Sequence, residues 1–240
     1  SRSIGAEDLQ RAKDLMRQAL LVVVALGLPL MCLLLLLAEK IPLWMGAQAE
    51  ILPDAAVYNR IIAASLIFRT MSMIITSIMR GYGDTKTPMF VNIGVNIVNV
   101  IGNFLLIYPT RTMSLFGMEF TMIGAGWGVA GAAAATSGSA TIGALIMLAV
   151  LFLKKGPMQL SIKGQYMPDW AILKTVFRIS LPAAFERIAL SSAGIITTST
   201  VATLGTVAVA ANSLYLTAES MCFMPGFAFS TAATTLVGQS

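Results

Sequence analysis

Two carboxylates and a guanidinium stand where this 240-residue chain can least easily carry charge. Glu219 interrupts an apolar run that begins at Val207, Glu186 lies within Ile179 to Val201, and Arg69 within Ile61 to Met79. At about 1.5 Å of helical rise per residue, Arg69 is about 16 Å from Arg80, Glu219 about 20 Å from Thr206, and Glu186 about 12 Å from Arg178. An unpaired charge at such depth in a bilayer costs at least about 2.5 kcal/mol, so each should meet a partner or a wet cavity. An acid there can bind a cation or a proton, or it can pin two helices together. Both roles stay open for Glu219 and Glu186, whereas Arg69 reads better as half of a structural ion pair. Arg187 cannot neutralise Glu186, because helical neighbours point about 100° apart. The chain has no histidine, so any proton relay must use carboxylates.

Asn92, Asn96, Asn99 and Asn103 follow one another at spacings of four, three and four. That pattern puts four carboxamides on one helical face, where they either bond to a neighbouring helix or line a wet path. Asn96, Asn99 and Asn103 are therefore candidate cavity residues. Other chemistry is not signalled. No phosphate-cradling loop, metal-ligand cluster or nucleophile–base set occurs, and the glycines after Ile123 lack a βαβ context. An enzyme is not expected, nor is a cofactor. Cys32 and Cys222 both fall inside apolar runs and read as packing residues.

The elements that must position these groups are membrane helices. A bilayer core of about 30 Å requires about 20 apolar residues in helix. Leu20 to Ala38, Pro88 to Pro109 and Ile123 to Leu153 meet this without charge, and the three charged runs complete a set of six. Only helices and closed barrels satisfy their own backbone hydrogen bonds in lipid. The reading is an all-α integral membrane protein with six transmembrane helices. A composition of 57% hydrophobic and 11% charged residues, with mean hydropathy +0.80, excludes an ordinary soluble domain. The net charge of +5 sits in short loops and is no sign of nucleic-acid binding.

Eleven of the 16 Lys and Arg residues fall before the first helix, at Arg80 and Lys86, or between Lys154 and Arg178. Lys40, Arg60 and Arg111 lie on the other side, which places both ends of the chain in the cytoplasm. Asp8 to Gln18 has helical spacing and is expected to lie along the membrane surface. The Gly46–Asp54 and Thr110–Met122 segments read as external loops, and Leu204–Thr206 as the last external turn. Residues Arg80 to Pro88 form a tight turn in which Gly81 and Gly83 allow unusual backbone angles and Pro88 opens the next helix. Glycines and alanines from Gly124 to Gly143 signal close helix packing. Lys154 to Trp170 reads as a linker, and Pro182 as a kink four residues before Glu186.

The stretch Arg80-Gly-Tyr-Gly-Asp84-Thr-Lys-Thr-Pro88-Met and the Asn99-Val-Ile-Gly-Asn103 helix resemble the multidrug and toxic compound extrusion (MATE) family. So do Gly126-Trp-Gly-Val-Ala-Gly131, Leu181-Pro-Ala-Ala-Phe-Glu186, Val207-Ala-Val-Ala-Ala-Asn212 and the segment Met224 to Gln239. The resemblance implies an internal fragment of a twelve-helix protein with two lobes. Residues 1–153 would hold helices three to six, 154–174 the cytoplasmic inter-lobe linker, and 175–240 helices seven and eight. It implies a monomeric plasma-membrane antiporter that exports organic cations in exchange for Na+ or H+ by alternating access. A lipid-linked oligosaccharide flippase of the same superfamily and a non-transporting scaffold are the alternatives. Relatives often carry Asp where Asn103 stands, and an acid in helix one, which this chain does not contain.

The orientation has a direct test. Single cysteines at Thr85 and Gly117, in a background lacking Cys32 and Cys222, are expected to react with an impermeant thiol reagent from opposite membrane faces.

Overall fold

The computed structural model describes residues 9–44, 49–115, 118–153 and 170–239. The described helices are α1 (Leu9–Leu37), α2 (Lys40–Trp44), α3 (Leu52–Ala64), α4 (Leu66–Tyr82), α5 (Lys86–Ile107), α6 (Gly128–Leu153), α7 (Trp170–Ala202) and α8 (Thr206–Gln239). Helices α1, α5, α6, α7 and α8 are each long and apolar enough to cross a bilayer. Helices α3 and α4 make a sixth span that bends by 43° at their junction. The chain is thus a multi-pass helical membrane protein. Its contacts divide it into two compact units, one holding α1 to α6 and the other α7 and α8.

In the first unit, α6 is the element against which the others pack. Gly131, Ala135, Ser139, Gly143, Met147 and Leu151 recur every fourth residue and are all buried. The small members of this ridge meet α5. A Cβ on Gly131 would come within 2.6 Å of the Leu106 carbonyl carbon, and one on Gly102 within 3.1 Å of Ala135. Val95 fills the space beside Gly143. Leu106, Gly102, Asn99 and Val95 therefore descend α5 opposite Gly131, Ala135, Ser139 and Gly143. The large members, Met147 and Leu151, join Met16 and Leu20 of α1 and Ile75 of α4 in the apolar core.

The bend between α3 and α4 has a local cause. The Ser65 amide bonds Ile62 O at 3.2 Å instead of reaching back to Ile61, and its hydroxyl donates to the same Ile62 carbonyl at 2.9 Å. The carbonyl of Ile61 is then taken by the Ser137 hydroxyl of α6, at 3.2 Å. A serine that competes for a helical carbonyl bends the helix, and here a second serine satisfies the group it leaves behind.

Several expectations change. The Thr110–Met122 segment, expected as an external loop, carries two antiparallel strands, β1 (Pro109–Leu115) and β2 (Met118–Ala125). Pro109 holds Tyr108 in extended conformation (φ −93°, ψ 146°), which ends α5. The following span consequently starts at Gly128 rather than Ile123. Gly124 and Gly126 serve the hairpin, not helix packing: Gly126 N donates to Tyr108 O at 3.0 Å with φ +67°. The segment Asp8 to Gln18, expected along the membrane surface, is from Leu9 onward the start of α1, with Ala12, Met16 and Gln18 buried. Pro182 lies inside α7, which is helical from Trp170 to Ala202. Cys32 and Cys222 are free and exposed, not packed in a core. The expectations for residues 1–8, for 45–48 of the first loop and for 154–169 of the linker lie outside the described residues.

Close packing makes one glycine more costly to change than another. Gly131→Ala is expected to lose about 1–3 kcal/mol through overpacking against the α5 backbone. Gly138→Ala, on the same helix with nothing within 4 Å, is expected to be neutral or stabilising, as read by thermal unfolding in detergent.

Candidate functional site: a polar seam and a basic cavity

The asparagine line divides when the helices pack. Asn99 and Asn103 are half-buried, whereas Asn92 and Asn96 are exposed. The Asn99 Nδ2 donates to Thr136 Oγ1 at 3.3 Å and to Ser139 Oγ at 3.4 Å across the α5–α6 contact. Asn103 Nδ2 donates to Asn99 Oδ1 at 3.1 Å, one turn further along α5. Ser139 Oγ in turn donates to Thr136 O at 3.0 Å. These neutral oxygens and amides form a continuous polar seam inside an apolar pair of helices. Sequence reasoning found Asn99 and Asn103 but missed Thr136 and Ser139, whose signal was their place among the small residues of α6.

A second polar place lies between α4, α5 and α6. A cavity of about 290 Å³ is bordered by Arg69, Ser72, Thr76 and Arg80 of α4 and by Asn92 of α5. Val95 and Gly143 also line it. Among the described residues Arg69 forms no ion pair; the pairs formed there are Arg17–Asp14 at 3.0 Å and Arg60–Glu39. The expected partner of Arg69 is therefore not found among them. Residues 69, 72, 76 and 80 share one helical face, but the space that face borders is set by the packing of α5 and α6 against it.

The turn beyond Arg80 is built by Asp84. Its carboxylate accepts from Thr87 N at 3.0 Å and from Thr87 Oγ1 at 2.7 Å, capping the start of α5. Gly83 takes the left-handed conformation (φ 96°) that ends α4. Gly81, by contrast, remains within α4, and Pro88 is the third residue of α5 rather than its opening one. At the base of the hairpin, the Arg111 guanidinium stacks 4.0 Å over the Tyr108 ring.

In the second unit Glu219 is half-buried on α8, as is Asn212 seven residues earlier on the same side. Glu186 and Arg187 are exposed on α7. Neither acid forms an ion pair among the described residues.

The MatE family profile matches residues 1–105 and 182–240. The chain belongs to the MatE family. It is 30% identical over 237 residues to the probable multidrug resistance protein NorM of Thermotoga maritima, covering 99% of this chain and 48% of that protein. It is 29% identical over 195 residues to the uncharacterized transporter YisQ of Bacillus subtilis, covering 81% of this chain and 40% of the other. Among solved structures, a MOP superfamily transporter from Pyrococcus furiosus shares the fold with a TM-score of 0.85 at 24% identity, over 99% of this chain and 50% of that one. An outward-facing MATE family transporter of the MOP superfamily gives 0.84 at 24% identity, with the same coverage. The chain spans about half the length of the curated relatives it matches. MatE proteins are transporters rather than enzymes.

The seam can be probed energetically. In a double-mutant cycle of Asn99→Ala with Ser139→Ala, unfolding in detergent is expected to show a coupling of about 0.6 kcal/mol, the usual size for a hydrogen bond between membrane helices.

Proposed function

We propose that the chain is part of a secondary active transporter of the plasma membrane that exports drug-like organic cations in exchange for Na+ or H+. The observation that carries this reading is its similarity, along nearly all of its length, to a protein named for multidrug resistance. The protein works as a monomer whose two lobes open alternately to either side, with both ends of this chain on the cytoplasmic side. Alternating access requires the two lobes to move against each other around a central site. A protein of only these 240 residues lacks half of that machinery and does not transport.

The coupling chemistry assigned here uses two kinds of group. The α5–α6 seam supplies amide and hydroxyl oxygens, Asn103 and Asn99 among them, that solvate a small cation without adding charge. Glu219 supplies a carboxylate that can hold either a cation or a proton, and so can exchange one for the other. Glu186, exposed at the middle of its helix, is a secondary cation contact. Asn96, exposed on α5, faces substrate or lipid.

Glu219→Gln keeps the size and hydrogen bonding of the side chain and removes its charge. In vesicles containing the full-length protein, membrane insertion is expected to persist while ion-driven efflux of a fluorescent organic cation falls at least about a hundredfold, the low end of what a positioned proton-transfer group contributes elsewhere. Efflux equal to the parent at every pH and sodium concentration tested would show Glu219 to be structural.

A further inference from the structure

The α3–α4 span bends where neither proline nor glycine stands, and that makes its bend reversible. A proline kink is permanent, because the ring removes the N–H that the helix needs to close again. Ser65 keeps its N–H. In the bent span that amide and the Ser65 hydroxyl both donate to Ile62 O, at 3.2 and 2.9 Å. The Ser137 hydroxyl of α6 donates to Ile61 O at 3.2 Å. When the span straightens, the Ser65 amide returns to Ile61 O, its regular helical acceptor. The released Ser137 hydroxyl then turns back to Ala133 O, four residues earlier on its own helix, as helical serines do. No polar group is left unmet in either state. That balance is needed here, since Ser65 and Ser137 are only 3% and 7% exposed and water cannot stand in.

The neighbouring helix is weak at the same level. Gly27 of α1 is buried beside Ile67, two residues beyond Ser65; a Cβ on it would lie 3.7 Å from Ile67 Cγ1. Pro29, inside α1, leaves the Ala25 carbonyl without its helical donor. On either side of this level the two spans are joined by different means. Towards the α4–α5 turn, Ile75 packs with Leu20 in the apolar core. Towards α2, Asn59 Nδ2 donates to Ala38 O at 3.4 Å and Arg60 pairs with Glu39. Between these two clamps lie Gly27, Pro29 and Ser65, and hinges are a few such positions that absorb a backbone change. We infer that Ser65 and Ser137, together with the Gly27–Pro29 segment, form a reversible hinge in the middle of the first unit. About it, α3 and the end of α1 turn as one piece on the apolar core, and the exchange of donors at Ile61 O is the step that permits the turn. The hinge belongs to the first unit alone and does not depend on what the protein exports.

The test measures distances in the full-length protein in lipid nanodiscs. Nitroxide labels are placed at Glu50, before the free end of α3, and at Thr112 of the hairpin, both exposed, in a background without native cysteines. Double electron–electron resonance reads the distance between them. An arm of about 20 Å turned through 43° moves its end by up to about 15 Å. Two distance populations are expected. Ser137→Ala should change their ratio about threefold, the worth of one hydrogen bond between membrane helices, and Ser65→Ala should change it in the same direction. Ser65→Pro, which cannot return a donor to Ile61 O, should move it the opposite way. Pro29→Ala, which restores the missing N–H of α1, should narrow the distribution. The alanine variants at Ser65 and Ser137 remove only a hydroxyl and Pro29 is exposed, so the result does not hinge on Ser65→Pro folding. A single population that none of these variants moves would overturn the inference, whatever they do to the thermal midpoint. So would opposite shifts from Ser65→Ala and Ser137→Ala.

Discussion

The first unit rests on how closely the backbones of α5 and α6 approach. In lipid, apolar side chains gain little by leaving the hydrocarbon for one another, so helices associate through van der Waals contact and interhelical hydrogen bonds. Gly131 against Leu106 and Gly102 against Ala135 bring main chain to within contact distance of main chain. That approach puts the Asn99 amide within reach of Thr136 and Ser139. It also sets where the large end of the α6 ridge, Met147 and Leu151, meets Met16, Leu20 and Ile75. A larger residue at Gly131 would disturb the polar seam and the apolar core together, because both depend on the same helix position.

The remaining polar groups in this unit are handled by pairing each displaced backbone group with a nearby side chain. The bend at Ser65 leaves the Ile61 carbonyl free of its usual helical donor, and Ser137 supplies one. The Asp84 carboxylate takes the Thr87 amide that the start of α5 would leave unmet. The exposed ion pair of Arg60 with Glu39 and the stacking of Arg111 on Tyr108 occupy the edges of the unit. Such surface pairs are worth little in stability. Arg69 and Arg80 stand apart from this pattern: both border one cavity, and neither is in an ion pair among the described residues.

The chain belongs to the MatE family and shares its fold with solved structures of about twice its length. The α5–α6 seam joins two helices that would otherwise be held by small-residue contact alone. An amide and hydroxyl network of this kind can rigidify a helix pair and can also offer oxygen ligands to an ion. The two uses are compatible, since an ion that replaces the amide protons as partner would loosen the pair it enters.

Much of this was legible in the residues themselves. Apolar runs of membrane length required helices, because lipid leaves the backbone no other hydrogen-bonding partner. The glycines and alanines of α6 announced close packing, and the motif from Arg80 to Pro88 announced a turn. The hairpin at Pro109–Ala125 was hidden by apolar residues such as Met122 and Ile123, which suit a strand and a helix equally. The asparagine spacing placed four amides on one face, but it could not say that Asn99 and Asn103 would meet hydroxyls while Asn92 bordered a cavity and Asn96 stayed exposed. Nor could it show that residues from Arg69 to Arg80 would share one space. Periodicity fixes which side of a helix a residue occupies; what stands opposite depends on how deeply two helices approach and in what register, and that is decided only when they pack.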